Sequence, residues 1–431
     1  MCELKWKMNN QSNIQSARPE EVLRLADEAG HILLENGAEI SRVEGTMERI
    51  ASAYGVNDGS FFVLSNGIIT TGQQFAHAEF IPIRGTQLSR VVEVNQLSRD
   101  VADGKVPLNE LESHLQAIRN SKGKPWWETI LGITLGVSSF GILFGSSFAD
   151  AAMTLVCGLL LGAFITFPGS RMSRIFRNLL GGLVSGLVCI IAYQFFPNTL
   201  HLPNMIIGTI IALVPGVSFT NGMRDLANED YLAGAIRLMD AVLVFFCIAM
   251  GVALAFILEN LFTGDLIQLS VPVTDPVTSA WYVQLPAAFV GTMGFSALFG
   301  SPRKFYGECG VVGMLGWAVY LWVATAPAQN IVAASFLGAL TVATLGGILA
   351  IACKCPTTVF LICGIIPLVP GGGIFWTAYY VISNHLRLAA TTGFTALKVT
   401  IAIAGGILIA TAIAVILQKH VIEKILLTKI E

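Results

Sequence analysis

Two proline–glycine pairs lie inside apolar stretches, where the groups available for chemistry belong to the backbone. The first is Pro215-Gly216, and the second is Pro370-Gly371, which continues into Gly372-Gly373. Proline removes a backbone donor and clashes with the preceding turn, while glycine admits irregular dihedral angles, so each pair predicts a broken helix. At membrane depth, the N–H and C=O groups released at such a break can hold an amino group, a carboxylate or an ion. We therefore predict that both breaks contribute to a substrate site. A proline kink that only shapes packing is the alternative.

Polar side chains near the first break extend this prediction. Ser218 and Asn221 could offer neutral hydrogen bonds to a hydroxyl or a carboxylate, or they could mark a polar helix end at the cytosolic surface. Carboxylates in apolar segments are costly and are functional candidates by default. Asp240 and Glu308 are therefore candidates for ion coupling, although Asp240 could simply pair with Arg237, and Glu308 could lie at the interface.

A third charged group, Glu39, Arg42 and Glu44, lies on a predicted helix of the N-terminal region. It could gate or dock against the membrane region, or it could be a solvated, salt-bridged face. The sequence contains no nucleophile–base–orienter set and no phosphate-cradling glycine loop, so we predict no enzyme and no cofactor. No histidine is spaced to share a metal with another, so we predict no metal site. The histidines are His31, His77, His114, His201, His385 and His420.

The apolar part of the chain repeats itself at an offset of 155 residues. Three landmarks share this offset, namely Trp126-Trp127 with Trp281-Tyr282, Phe140–Ser146 with Phe295–Ser301, and Ile210–Gly216 with Ile365–Gly371. The two breaks fall within the third landmark. Two related membrane halves are typical of secondary transporters, in which the substrate site lies where the halves meet.

Composition indicates a membrane protein. Of the 431 residues, 54% are hydrophobic and only 13% are charged, against about 25% charged in a soluble domain. The net charge of −2 argues against a nucleic-acid partner. A bilayer core needs about 20 helical residues, and ten segments meet this length. We place them near 128–147, 151–167, 178–196, 204–221, 235–260, 281–300, 306–325, 331–352, 357–375 and 395–418.

The first 124 residues have an ordinary share of charge and read as a small α+β domain. Apolar residues at helical spacing predict helices over 22–32, 40–54, 88–101 and 108–118. Phe61–Leu64 and Ile68–Thr71 flank Ser65-Asn66-Gly67, a hairpin signal because Asn-Gly tolerates positive φ. Phe80–Arg84 could add a strand.

Orientation follows from lysine and arginine, which should collect on the cytosolic side. With a cytosolic N-terminal domain, the inside connections carry nearly all of the basic residues, and Arg387 with Lys398 is the one exception. Five spans per half require the second half to start from the opposite side of the bilayer. The fold class is therefore an α-helical polytopic membrane protein with ten transmembrane helices as two inverted five-helix repeats, preceded by a small cytosolic α+β domain. The predicted domains are 1–124, 125–265 and 280–420, in the inner (plasma) membrane with both termini cytoplasmic.

Several stretches resemble the threonine/serine exporter (ThrE) family. They are Leu34–Glu44, Ala53–Val56, Phe61–Gly67, Phe299–Arg303, Pro356–Phe360 and Ile366–Gly373. The resemblance covers nearly the whole chain in the family's order, with two regions fused that are separate polypeptides in part of the family. It implies ten spans, a cytosolic N-terminal domain and efflux powered by an ion gradient. It implies no settled binding residues, so the site residues above remain predictions from the repeat.

These observations predict a secondary exporter of threonine and serine, coupled to protons and working by alternating access between the repeats. A dicarboxylate exporter of the same architecture is the first alternative, favoured if Arg237 or Lys398 faces the cavity. The second is a membrane-anchored enzyme or sensor acting through the N-terminal domain, which a deep pocket at residues 31–66 would favour. The expected partners are the small-molecule substrate, a proton and the lipid bilayer. The sequence leaves a homo-oligomer open.

Overall fold

The computed structural model describes residues 19–72, 75–82, 85–264, 274–327 and 330–428. The chain divides into two compact units. The first unit comprises the described residues between 1 and 123 together with Asn221–Arg237 and Lys354–Pro356. The second unit comprises the remaining described residues. The N-terminal region is therefore joined by two short segments from later in the chain.

Helices pack against a small antiparallel sheet in the N-terminal part of the first unit. The elements are α1 (Pro19–Glu35), α2 (Ile40–Ala53), β1 (Ser60–Leu64), β2 (Gly67–Gly72), β3 (Phe75–Phe80), α3 (Leu88–Ala102) and α4 (Leu108–Arg119). The strand order is β1-β2-β3. Val22, Leu25, Ala29 and Ile32 of α1 are all buried, as their helical spacing predicts. The four helices and the hairpin predicted for this region are confirmed.

The hairpin forms for a different reason from the one predicted. Leu64 pairs with Gly67, which leaves a two-residue loop of Ser65 and Asn66. Neither Asn66 nor Gly67 has a positive φ. Glycine at position 67 instead allows close approach of β3, because a Cβ there would lie 2.9 Å from the carbonyl oxygen of Glu79.

The strand predicted over Phe80–Arg84 is wrong, because the third strand ends at Phe80. The Ile81 N–H still donates to the Asn66 carbonyl at 2.8 Å. Pro82 then offers no donor to continue the ladder. Ile83 and Arg84 lie outside the described residues.

The membrane region is helical. Its long elements are α5 (Trp126–Leu143), α6 (Phe148–Thr166), α7 (Arg174–Phe195), α8 (Leu202–Ile210), α9 (Gly216–Ala227), α10 (Tyr231–Thr263), α11 (Trp281–Leu298), α12 (Tyr306–Ala324), α13 (Ile331–Ala352), α14 (Thr357–Ile365), α15 (Gly371–Ile382) and α16 (Leu386–Thr428). Short 3₁₀ turns lie at Gly169–Arg171, Ile211–Leu213, Arg303–Phe305 and Ile366–Leu368.

Within the described residues, seven helices are long and apolar enough to cross a membrane, or nine if each of two bent pairs is one span. The chain is thus a multi-pass membrane protein. The expected tenth span corresponds to α11, which does not reach the apolarity of the others. Gln284 and the in-helix Pro286 lower the apolarity of α11 near its start.

Helices α5 and α11, which correspond in the repeat, pack against each other in a reciprocal way. A Cβ at Gly136 would meet the Phe295 ring, and a Cβ at Gly291 would meet the Phe140 ring. The two rings are 5.0 Å apart between centroids. Each residue of one contact lies 155 positions from a residue of the other. The contacts run in opposite order along the two helices, as they do in an antiparallel pair.

Candidate functional site

Two helices are interrupted where the proline–glycine pairs lie. Helix α8 continues into the 3₁₀ turn Ile211–Leu213, and α9 begins at Gly216 with its axis turned by 63°. Helix α14 continues into the turn Ile366–Leu368, and α15 begins at Gly371 with its axis turned by 53°. The predicted breaks are confirmed, at matched positions of the repeat.

The backbone follows the same path through both breaks. Val214 has φ −58° and ψ 129°, and Val369 has φ −61° and ψ 127°. The N–H of Gly216 donates to the Val214 carbonyl at 2.8 Å, and that of Gly371 to the Val369 carbonyl at 2.7 Å. The next N–H groups belong to the first turns of α9 and α15, where a helix has no internal acceptor for them. Each break therefore offers a helix N-terminus, which favours negative charge.

The two breaks lie against each other. A Cβ at Gly371 would lie 3.2 Å from Val214 and 3.4 Å from Ile211, and one at Gly216 would lie 3.9 Å from Ile366. Gly216 and Gly371 are 155 positions apart, and so are Ile211 and Ile366, so the contacts are reciprocal. The nearest side chains at the breaks are aliphatic, and the polar groups there belong to the backbone.

Ser218, in the first turn of α9, belongs to a charged group in the second unit. Arg174, at the start of α7, donates from Nη2 to Ser218 Oγ at 3.1 Å. The same guanidinium pairs with Asp240 at 2.8 Å. The alternative that Asp240 pairs with Arg237 is therefore wrong. Arg174 was a residue that sequence reasoning used only for membrane orientation.

Arg237 has a different partner, in the first unit. Its Nη1 lies 2.8 Å from Asp225 Oδ2, and its Nη2 donates to the Ala38 carbonyl at 3.1 Å. Asp225 is completely buried and Arg237 is 4% exposed. A buried carboxylate needs a cation close by, and Arg237 supplies it.

Glu39 is also buried, at 2% exposure, and pairs with two arginines. Arg42 donates from Nε at 3.0 Å, and Arg224 Nη1 lies 2.5 Å from the other carboxylate oxygen. The solvated-face alternative is therefore wrong for Glu39. We call Glu39, Arg42, Arg224, Asp225 and Arg237 the buried charge cluster. It joins the start of α2 to the residues that follow the first break.

Asn221 and Glu44 also bind backbone groups of the first unit. Asn221 Nδ2 donates to the Gly37 carbonyl at 2.8 Å, which favours a docking role over the predicted substrate contact. Glu44 Oε1 accepts the N–H of Val63 at 3.1 Å and so holds α2 against β1. Partial burial raises the pKa of Glu44 above its usual value because the charged form loses water.

Glu308 is half-buried in the first turn of α12, and no hydrogen bond or ion pair to it is found among the described residues. Another carboxylate, which sequence reasoning missed, has several polar partners. Glu128, on α5, lies 2.6 Å from Arg303 Nη2 and accepts the Tyr306 hydroxyl at 2.6 Å. Lys124 is a third partner at 3.5 Å. The only sequence signal was a lone acid in the first turn of an apolar helix.

Two basic side chains, Arg237 and Lys398, would favour a dicarboxylate if they faced the cavity. Arg237 is held by Asp225. Lys398 lines a groove of about 580 Å³ with residues of α13 and α16, among them Asn330 and Phe336.

The described part of the first unit brings together a group of metal-ligating residue types that includes a histidine. Asp27, His77 and Glu79 bring one ligand atom each to within 4.8 Å of one another. Spacing along the chain could not reveal this group, because α1 and β3 meet only through folding.

Comparison with known proteins gives a consistent result. The ThrE model of the threonine/serine exporter family matches residues 24–258, and a second model, described as "Threonine/Serine exporter, ThrE", matches residues 284–413. The chain belongs to the threonine/serine exporter family. Together the two models cover most of the length of this family member.

The two bacterial relatives share this similarity along most of their length. The chain is 22% identical to a "Threonine/serine exporter" of Corynebacterium glutamicum, over 91% of this chain and 82% of the relative. It is 22% identical to a "Probable threonine/serine exporter" of Mycobacterium tuberculosis, over 84% of this chain and 70% of the relative. It is also 21% identical, over 51% of its length and 19% of the relative, to "Pheromone-regulated membrane protein 10" of Yarrowia lipolytica. No solved structure matches the chain.

Proposed function

We propose that this chain is a secondary exporter of threonine and serine, not an enzyme. The observation that carries the proposal is the pair of broken helices, α8–α9 and α14–α15, in a member of a transporter family. Broken helices at matched positions of a repeat are the usual substrate sites of secondary transporters. The printed names of the two bacterial relatives support the choice of substrate.

The two halves are proposed to be inverted repeats of five spans that rock around the breaks. Support comes from the reciprocal contacts of α5 with α11 and of Gly216 with Gly371, since contacts exchanged by one offset indicate a two-fold relation. The antiparallel order of the α5–α11 contacts is what a relation across the membrane plane requires. Rocking would expose the breaks first to the cytoplasm and then to the outside.

The substrate is a zwitterion, so its two charges need opposite partners. The N-termini of α9 and α15, with the backbone of Pro215–Gly216 and Pro370–Gly373, would attract the carboxylate. The carbonyl ends of the preceding 3₁₀ turns would attract the ammonium group. Near the first break, the Ser218 hydroxyl could form a hydrogen bond with the substrate hydroxyl.

Proton coupling is proposed to act at Asp240, with Glu308 as a second candidate. Protonation of Asp240 would remove the charge that holds Arg174 and free that guanidinium for an anionic group. Loss of the proton would restore the ion pair at 2.8 Å. One carboxylate could thus couple substrate binding to the proton gradient of the inner membrane.

The buried charge cluster is proposed to dock the N-terminal domain, with Glu39 and Arg42 on the domain side and Glu44 bracing the sheet behind them. Arg224 lies on α9, the helix that starts at the first break. Movement of α9 during transport would therefore strengthen or weaken this docking contact. The contact and both termini are proposed to lie on the cytoplasmic side.

Counterflow in proteoliposomes tests the assignment. Vesicles containing the full chain are loaded with unlabelled threonine, and labelled threonine, serine or succinate is added outside, with and without a pH gradient. We expect accumulation of threonine and serine that the gradient alters. Accumulation of succinate alone would move the substrate to the dicarboxylate class, and exchange of none of the three would contradict the proposal.

A further inference from the structure

The group formed by Asp27, His77 and Glu79 is a different kind of site from the transport path. It lies in the N-terminal region, where the face of α1 meets β3 of the sheet. Asp27 belongs to α1, and His77 and Glu79 belong to β3. Residues two apart on a strand point to the same face, so the pattern of β3 places the imidazole and the second carboxylate together.

The geometry matches a three-ligand metal site. His77 Nδ1 lies 2.8 Å from Asp27 Oδ2, and the ligand atoms of all three residues lie within 4.8 Å of one another. Two ligands at about 2.0–2.2 Å from a common Zn²⁺ ion in tetrahedral geometry lie about 3.3–3.6 Å apart, so small side-chain movements would bring these atoms to one ion. Asp27 and Glu79 bring two negative charges, which a divalent cation would neutralise.

Both carboxylates are oriented by outer partners. The Thr70 hydroxyl donates to Asp27 Oδ1 at 2.6 Å, and His31 Nδ1 donates to Glu79 Oε2 at 3.0 Å. Thr70 is completely buried and lies directly opposite His77 on β2. Ligating carboxylates in metal sites are held in this way, and the outer partners fix their direction.

One side of the site is buried, and the other side is exposed to solvent. The Asp27 side chain is 7% exposed, whereas those of His77 and Glu79 are 45% and 37% exposed. A cation could therefore enter from solvent and keep one position for water. One imidazole with two carboxylates suits first-row divalent ions such as Zn²⁺ and Mn²⁺, and the set has no thiolate.

We propose that Asp27, His77 and Glu79 bind a first-row divalent cation, with Thr70 and His31 as positioning residues. On binding, the Nδ1 proton of His77 leaves to solvent and the metal takes its place between His77 and Asp27. The cation then links α1 to β3. This site is independent of the proposed transport function.

Metal binding to the full chain, purified in detergent and stripped with EDTA, tests the proposal. Zn²⁺ and Mn²⁺ are titrated separately, and bound metal is measured by mass spectrometry after removal of free metal. We expect about one equivalent of one of these ions per chain and a rise in Tm on its addition.

Variants separate this site from adventitious binding. His77→Ala and Glu79→Gln change partly exposed side chains, so the fold should survive, and each should lower affinity at least 10-fold and abolish the rise in Tm. Thr70→Ala should lower affinity about 10- to 100-fold, as loss of an outer partner does. His114→Ala, which removes an exposed histidine of α4, should bind as the parent does. Equal binding by parent, His77→Ala and Glu79→Gln would overturn the proposal, and so would binding of neither ion by the parent.

Discussion

The two breaks share a backbone path, but the helices that begin at them differ. After the first break, α9 carries Ser218, Asn221, Arg224 and Asp225, and its residues from Asn221 onward belong to the first unit. After the second break, α15 carries an aromatic group, with Trp376 and Tyr379 at 5.4 Å between ring centroids in an edge-to-face contact. Of these two regions, the break is alike in both copies and the helix that follows it is not. The first copy is tied to the N-terminal region by charge, while the second is packed into apolar surroundings.

This comparison predicts which residues have the same role in both halves and which have a role in only one half. Residues that form the break should be needed in both copies. Residues beyond the break should matter in only one copy, since position 237 is a buried arginine and its counterpart at 392 is threonine.

The largest expected effect is the loss of transport on closing either break with a bulky side chain. Gly216→Leu and Gly371→Leu each place an isobutyl group where the two breaks meet, so both should abolish counterflow of threonine. Membrane insertion, measured by the amount of protein recovered in the membrane fraction, should not change. Unchanged flux in either variant would remove that break from the mechanism.

Asp240→Asn should have the next largest effect on transport. The amide keeps the shape but cannot exchange a proton, so we expect flux to become independent of the pH gradient and to fall on the order of 10-fold, equivalent to about 1.4 kcal/mol. Glu308→Gln is the matched comparison and tests the second candidate. Retention of the parent's pH dependence by Asp240→Asn would show that the proton is carried elsewhere.

How far the sequence predicts this fold depends on whether the signal is local. The breaks follow from proline and glycine within an apolar segment, and the position of the hairpin follows from two short apolar strands around Ser65-Asn66-Gly67, although the turn lacks the positive φ that was expected. Both are decided by neighbouring residues, and both were predictable. The partner of Asp240 was not, because Arg174 is 66 positions away and competes with the nearer Arg237. The contact between Asp27 and His77 was not predictable for the same reason, because the two residues are separated by 50 positions.

Arg237→Ala should act on stability more than on flux. It leaves the buried Asp225 without its cation, which costs about 3–5 kcal/mol when one partner of a buried pair is removed. We expect a clear fall in Tm of the purified protein and faster proteolysis of the N-terminal region. Adding Asp225→Asn should restore much of the loss. Thr392→Ala, at the counterpart position, should leave Tm unchanged; an equal fall there would contradict the difference between the halves.

The smallest expected effect is an asymmetry between alanine variants of the two break glycines. A Cβ at Gly371 would press on Val214 at 3.2 Å, whereas one at Gly216 would meet Ile366 at an ordinary 3.9 Å. Gly371→Ala should therefore introduce an overpacking cost of about 1 kcal/mol, and this cost should reduce flux. Gly216→Ala should reduce flux less. Val214→Ala should relieve Gly371→Ala in the double variant. A greater loss in Gly216→Ala would reverse the predicted order.

Sidedness of labelling at two corresponding positions tests the inverted arrangement of the halves most directly. Ala149 and Lys304 are 155 positions apart, and each lies a few residues after the end of α5 or α11. Each is replaced by cysteine and treated in intact cells with a membrane-impermeant maleimide, with the parent chain as background. We predict that Ala149→Cys reacts from outside, and that Lys304→Cys reacts only after the membrane is opened. Reaction of both from the same side would contradict the account.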